Sequence, residues 1–358
     1  MRSVDKMEDI KLIKTIEENL HAAKEAGIEF NPDGLGEKWE SQVPQESRRF
    51  INSDFTLRED VIRNFRGQTV FIYDWPCAKP GFMTILRRLI DGNWRGRYKV
   101  LRGRLKLLKD YNCADLLKKY PSSTVGNPNL FSYKGYKYTW RWTRHIYLLW
   151  LFKQVLEKRL SSDFVSMDIG SSYGVFSNLL KKEFPKSHHV LVDFPEQLVL
   201  AHYFLGKEFP EAKIASMKEI RGAGRINREF IRKYDFVLLP WMYYEKTQPK
   251  SLDLLTNFSS FGEMSKKYFD YYLRNEPFKS TPYFFTCNRF HSHSTYKNDI
   301  SVLDYPLSEF SKLHFDIFPV ISERYRRHGI LFYKFFPYPS QCFEFIGVRK
   351  PLEKKGEL

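Results

Sequence analysis

One stretch constrains the fold of this chain more than any other. Residues 165–205 read VSMDIGSSYGVFSNLLKKEFPKSHHVLVDFPEQLVLAHYFL. A short apolar run ends in Asp168, and a small-residue turn follows, Gly170-Ser171-Ser172-Tyr173-Gly174. Phe176, Leu179, Leu180 and Phe184 then recur at helical spacing, and Pro185 stops the helix. A second apolar run, 189–193, ends in Asp193. Pro195 suits the first position of a second helix over 196–205, with Gly206 as its C-terminal cap. Strand, turn, helix, strand and helix in this order require parallel strands joined by right-handed crossovers.

The alternation continues downstream. Strands are expected at 164–168, 189–193, 212–216, 235–240, 282–288, 315–324 and 342–349. The fold class is therefore α/β: a Rossmann-like, seven-stranded, mostly parallel sheet with helices on both faces. The upstream third reads differently. Residues 6–26 put Ile10, Leu12, Ile13, Ile16 and Leu20 on one helical stripe, and 31–45 read as a loop. Residues 82–111 interleave leucines with Arg87, Arg88, Arg95, Arg97, Lys99, Arg102, Arg104, Lys106 and Lys109, a pattern for a helical hairpin turning at 91–97. Pro121, Gly126 and Pro128 mark 120–130 as a linker, followed by an apolar helix over 144–160. A chain of 358 residues exceeds the ~250–300 that one core usually spans. The expected division is a mainly helical accessory region, 1–130, and a Rossmann-like domain, 131–358.

The two acids select the ligand. Gly170 lets backbone approach a ligand closely, and Gly174 seats the helix against the strand. Asp193 follows the turn by the ~20 residues of a strand–helix–strand unit and carries two acceptors for ribose hydroxyls. A dinucleotide site needs G-x-G-x-x-G to bring helix N–H groups onto a pyrophosphate. Here the second glycine is missing, and an acid at the end of the first strand would repel a pyrophosphate. The same acid favours the ammonium and sulfonium of S-adenosylmethionine.

These residues resemble class I methyltransferases and, more narrowly, the sugar O-methyltransferase family of bacterial glycan-modifying enzymes. MDIGSSYGVFSNLL, LVDFPEQLVLAHYFL and NFSSFGEMSKKYFDYYL carry the resemblance, with the strand YFFTCNR behind them. It spans roughly residues 138–349, with Ser172 at the place of the family's middle glycine. The resemblance implies S-adenosylmethionine as cofactor and a sugar hydroxyl as acceptor. Asp168, Gly170, Ser171 and Gly174 would form the cofactor turn, with Asp193 and Phe194 beside ribose and adenine. Ser216 and Met217 would touch the adenine, and Leu239, Pro240 and Trp241 would line the methionine side.

Methyl transfer to oxygen needs a base within ~2.6–3.2 Å of the hydroxyl. His291 and His293, in RFHSHSTY after the fifth strand, are candidates, as is Glu263. Glu263 also fits a capping box, Ser260-x-x-Glu263, opening a helix that carries Met264, Tyr268 and Tyr271. No carboxylate cluster accompanies the histidines at matching spacing, so no metal site is assigned. Fifty-eight basic against 42 acidic residues give a net charge of +16, which favours an anionic acceptor such as a nucleotide-linked or phosphorylated sugar. The same charge keeps an RNA or DNA methyltransferase as an alternative, with the basic stretch as its contact, although the fourth strand ends LLPWMYY without an Asn/Asp-Pro-Pro-Tyr/Phe signature. A non-catalytic binding protein is the third reading. Four scattered cysteines, no apolar leader in residues 1–18 and a longest apolar run of only 146–152 predict a cytoplasmic protein without a membrane span.

Overall fold

The computed structural model describes residues 3–25, 48–68, 93–292, 298–319, 322–328, 332–338 and 341–351. Helix α1 (Ser3–Glu25) and helix α2 (Asn93–Asp110) come first, then a hairpin of β1 (Phe131–Tyr133) and β2 (Tyr136–Tyr138). Thr139 accepts the Trp142 N–H and caps the start of α3 (Trp140–Val155).

The Rossmann-like part then alternates strand and helix. It runs through β3 (Val165–Ile169), α4 (Val175–Glu183), β4 (His188–Asp193), α5 (Pro195–Glu208), β5 (Ile214–Ala215) and α6 (Met217–Gly222). It continues with β6 (Phe236–Pro240), β7 (Leu254–Phe258), α7 (Lys266–Arg274), β8 (Tyr283–Arg289) and β9 (Phe310–Ile317). A separate hairpin, β10 (Ser322–His328) with β11 (Phe332–Tyr338), precedes the last strand, β12 (Cys342–Arg349). Among the described residues the main sheet has eight strands in the order β5-β6-β4-β3-β7-β8-β12-β9. The first six run parallel, and β12 lies antiparallel between β8 and β9.

Side chains alternate across the sheet with period two. Val165, Met167 and Ile169 join the apolar layer beneath α7, together with Phe269 and Tyr272. Leu191 faces the other way, into the layer built from α3, α4 and α5. Burying each such Leu or Phe stabilises the sheet by roughly 1.5–3 kcal/mol.

The N-terminal elements pack onto this second layer. Asp9 on α1 is fully buried, pairs with Arg63 Nε at 2.6 Å and accepts the Tyr203 hydroxyl of α5 at 3.0 Å. Gly206 lies inside α5 rather than capping it, because the helix continues to Glu208. A Cβ there would stand 2.8 Å from Leu12 Cδ1, so the bare backbone lets α1 approach. Arg66 is also fully buried and donates to Ser123 O at 2.6 Å and Ser122 Oγ at 3.2 Å, so the 120–130 segment is anchored rather than loose.

Five further expectations change. The sheet gains β7, which was not expected as a strand; all five of its residues are buried, and its centre pairs directly with β3. Ser260-Phe-Gly-Glu263 does not open a helix. Residues Phe261–Glu263 form a 3₁₀ turn, and α7 begins after Ser265. The turn expected at 91–97 is helical from Asn93 onward, and residues 91–92 lie outside the described set. The strand expected at 315–324 is two strands, β9 and β10, and that at 212–216 shrinks to two residues at the sheet edge.

Candidate functional site

From β3 the chain moves outward to β4, then to the edge strand β5 and to β6 between β5 and β4, and returns on the other side of β3 as β7. The order therefore reverses about β3, and open α/β sheets bind ligands in the crevice at such a switch point, outside the carboxyl ends of the strands. A cavity of about 990 Å³, counted out to its open mouth, lies there. Gly170 after β3, Asp193 and Phe194 at the end of β4, Trp241 after β6, and Phe258, Ser259 and Ser260 at the end of β7 line it. Arg141 and Arg144 of α3, Ser172, Gln197, Glu263, Met264 and Tyr272 complete the wall.

Asp193 is held rigidly. Ser172 N–H donates to its Oδ2 at 2.7 Å and Phe194 N–H to its Oδ1 at 2.8 Å. Each carboxylate oxygen keeps a second lone pair. Burial pushes its pKa up to about 7, against the pull of the two N–H donors and of Arg141. The turn that supplies the Ser172 N–H is left-handed at Gly170 (φ 69°), Ser172 (φ 55°) and Gly174 (φ 82°). Gly174 begins α4, where a Cβ would stand 2.8 Å from Leu191 Cδ2.

Asp168 behaves differently. It does not line the cavity; its Oδ1 accepts the Thr256 hydroxyl of β7 at 2.8 Å, and only 5% of it is exposed. Burial raises its pKa to about 7, with the Asp193 charge adding to the rise. The charges of Asp193 and Arg144 on the cavity wall act on it. Ser171 is likewise buried, with an Oγ that has no hydrogen-bond partner among the described residues.

The wall opposite the sheet ends comes from α3. Arg141 Nη1 donates to Ser172 Oγ at 3.1 Å, which also receives Gln197 Nε2 at 3.3 Å. Arg144 Nη1 donates to Ser259 Oγ at 3.0 Å, while its Nε is buried without a partner. Burial lowers the Arg144 guanidinium below its usual value, and the Arg141 charge adds to the fall. Trp241 Nε1 is another buried, unpartnered donor on the cavity wall.

The remaining residues marked from the sequence separate cleanly. Glu263 lines the cavity. His291 does not: its side chain is 63% exposed and its Nε2 lies 3.0 Å from Asp299. His293 lies outside the described residues. Ser216 and Met217 line a second, smaller cavity beneath Ile16 and Leu20 of α1, because Ser216 caps α6 with Glu219 and Met217 packs on Ala23. Pro240 pairs in register with Asp193, so the end of β6 serves the Asp193 side; β7, beside β3, takes the other side.

Solved structures similar to this chain include a precorrin-6y C5,15-methyltransferase from Geobacter metallireducens GS-15 (12% identity, 55% of this chain and 86% of that chain, TM-score 0.30). Others are the mitomycin 7-O-methyltransferase MmcR (12% identity, 59% and 57%, TM-score 0.32) and a SAM-dependent methyltransferase from Aquifex aeolicus (14% identity, 55% and 89%, TM-score 0.29). No protein-family pattern matches the sequence, and no curated protein does.

Arg141, Arg144, Gln197 and Tyr272 were not marked from the sequence. The signal for the arginines was present: two cations three residues apart in an otherwise apolar helix.

Proposed function

We propose that this chain is an S-adenosylmethionine-dependent methyltransferase acting on a sugar hydroxyl of a glycan or of a nucleotide-linked or phosphorylated sugar. The observation that carries the reading is the Asp193 carboxylate, fixed by two backbone N–H groups at the switch point with a lone pair of each oxygen still available. That is an acceptor pair for the two hydroxyls of a ribose. Phe194 and Trp241 supply flat apolar surface beside it, and the unpartnered Trp241 Nε1 and Arg144 Nε are buried donors that a polar ligand would satisfy.

When bound, S-adenosylmethionine supplies a methyl group on a positively charged sulfur. The chain holds the reactants in line and excludes water, which is much of the catalysis in such a displacement. Glu263 lines the cavity and would accept the proton of the acceptor hydroxyl as it attacks. The net charge of +16 supports an anionic acceptor. Residues 1–130 serve as an accessory region, buttressing α5 through Asp9 and the glycine turn through Arg66, whose guanidinium lies 5.5 Å from the Tyr173 ring centre.

The test is calorimetric titration of the full chain with S-adenosylhomocysteine, followed by methyl-label transfer to nucleotide-sugar and glycan pools. Binding with transfer to a carbohydrate supports the reading. A folded protein that binds but methylates only RNA would replace the acceptor class, and one that does not bind would end the methyltransferase reading.

A further inference from the structure

We propose that Arg141 and Arg144 form a carboxylate-binding pair on the α3 wall of the cavity. This rests on the methyl-donor reading and deepens it, because it concerns the same cavity.

The two residues sit three apart on one helix, so their side chains leave the same face. Arg141 reaches the glycine turn at Ser172, and Arg144 reaches the end of β7 at Ser259. Both line the cavity. A guanidinium in such a place is costly unless an anion or several acceptors satisfy it. Among the described residues Arg144 has one neutral hydroxyl acceptor, Ser259, and a buried Nε without a partner, and the Glu263 charge acts on it. Asp193 accepts the Ser172 and Phe194 N–H groups and Asp168 the Thr256 hydroxyl, while Glu263 shares the cavity wall with the two arginines. The cavity therefore carries carboxylates at Asp193 and Glu263 and two guanidinium groups on α3.

A planar guanidinium fork matches a carboxylate through two parallel N–H···O bonds, which a lysine cannot reproduce. Two chemical sources can bring that carboxylate to the site. One is the amino-acid tail of the methyl donor; the other is a uronic acid in the acceptor. The position of the pair, spanning the turn after β3 and the end of β7, favours the donor's tail. Its ammonium would then lie toward the acids and its carboxylate toward α3.

The experiment compares two probes that share a thionucleoside and differ in the tail: S-adenosylhomocysteine and methylthioadenosine. Each is titrated calorimetrically into the full chain, into Arg144→Met and into Arg144→Lys, with Arg141→Gln as a second position. Near-ultraviolet dichroism selects variants that keep the native fold. Arg144→Met is expected to weaken S-adenosylhomocysteine by about 30-fold or more, with methylthioadenosine changed by less than about twofold and Arg144→Lys in between. If S-adenosylhomocysteine is unaffected, galacturonate is titrated into the S-adenosylhomocysteine complex. Its loss in Arg144→Met keeps the carboxylate pair and assigns the acceptor as the source.

Equal weakening of both nucleoside probes overturns the proposal, as does no effect on either probe or on galacturonate. Wild-type protein that binds neither nucleoside is a separate result: it removes the methyl-donor reading itself and this pair with it.

Discussion

Gly170 and Ser260 meet across the gap between β3 and β7: a Cβ placed on Gly170 would overlap the Ser260 Oγ and Cβ. One residue opens the glycine turn after β3 and the other follows β7, so their contact sets how closely the two loops approach. The left-handed backbone at Gly170 (φ 69°) adds a second reason for glycine.

Gly170→Ala is accordingly expected to destabilise the protein by about 2–4 kcal/mol, from left-handed strain and overpacking together. Gly170→Ala combined with Ser260→Gly removes the overlap but not the strain. The pair should recover at least about 1 kcal/mol relative to additivity. Urea unfolding of the four proteins gives the coupling energy, and additive costs would show that the two loops do not press on one another.

In the proposed function Asp193 accepts the ribose hydroxyls in its charged form. Asp193→Ala should weaken S-adenosylhomocysteine by about 30–100-fold, in line with two lost charge-assisted hydrogen bonds partly replaced by water. Because burial pushes its pKa up to about 7, wild-type affinity should fall as pH drops from 8 to 6. Asp193→Asn should start weaker and show a flatter profile. Titration calorimetry across that range decides it; an unchanged slope in Asp193→Asn would assign the dependence to another group.

Glu196 is a buried carboxyl whose two oxygens both lack hydrogen-bond partners among the described residues. Burial raises its pKa to about 8, with the Asp193 charge adding to it. Between the unfolded value near 4.5 and about 8 the native state holds a proton that the unfolded state has released. Stability contributed by this group is therefore present at low pH and is lost as pH rises through that window. Glu196→Gln should match wild type near pH 5 and exceed it by about 1–3 kcal/mol near pH 8.5. Thermal melts at both pH values measure the difference, and parallel losses in the two proteins would contradict it.

Glu263→Gln separates chemistry from binding. The turnover rate should fall by about 10²–10⁴-fold while S-adenosylhomocysteine affinity stays within about twofold. A rate within tenfold of wild type would exclude Glu263 as the base, whereas an affinity loss would make it a binding residue.

The strand ends at Asp168 and Asp193 were legible in the sequence because each follows an apolar run and precedes a turn that only small residues allow. The helices behind them were legible from their apolar spacing. Strand β7 was not, although it lies beside β3. Its residues, Leu254–Phe258, follow a polar stretch and lead into Ser-Ser-Phe-Gly-Glu, which imitates a helix start. The two acids illustrate the same limit. They look equivalent in the sequence, yet Asp193 stands on the cavity wall and Asp168 accepts the Thr256 hydroxyl away from it.

By itself the sequence determined the alternating α/β pattern, the glycine turn and the acid that ends each of two strands, because these depend on spacing and backbone freedom within a few residues. Only the tertiary structure decided which strand lies beside β3, that Ser216 and Met217 pack under α1, and that Arg141 and Arg144 enter the cavity. Those outcomes depend on how faces from segments scores of residues apart come together, and local periodicity carries no information about which faces will meet.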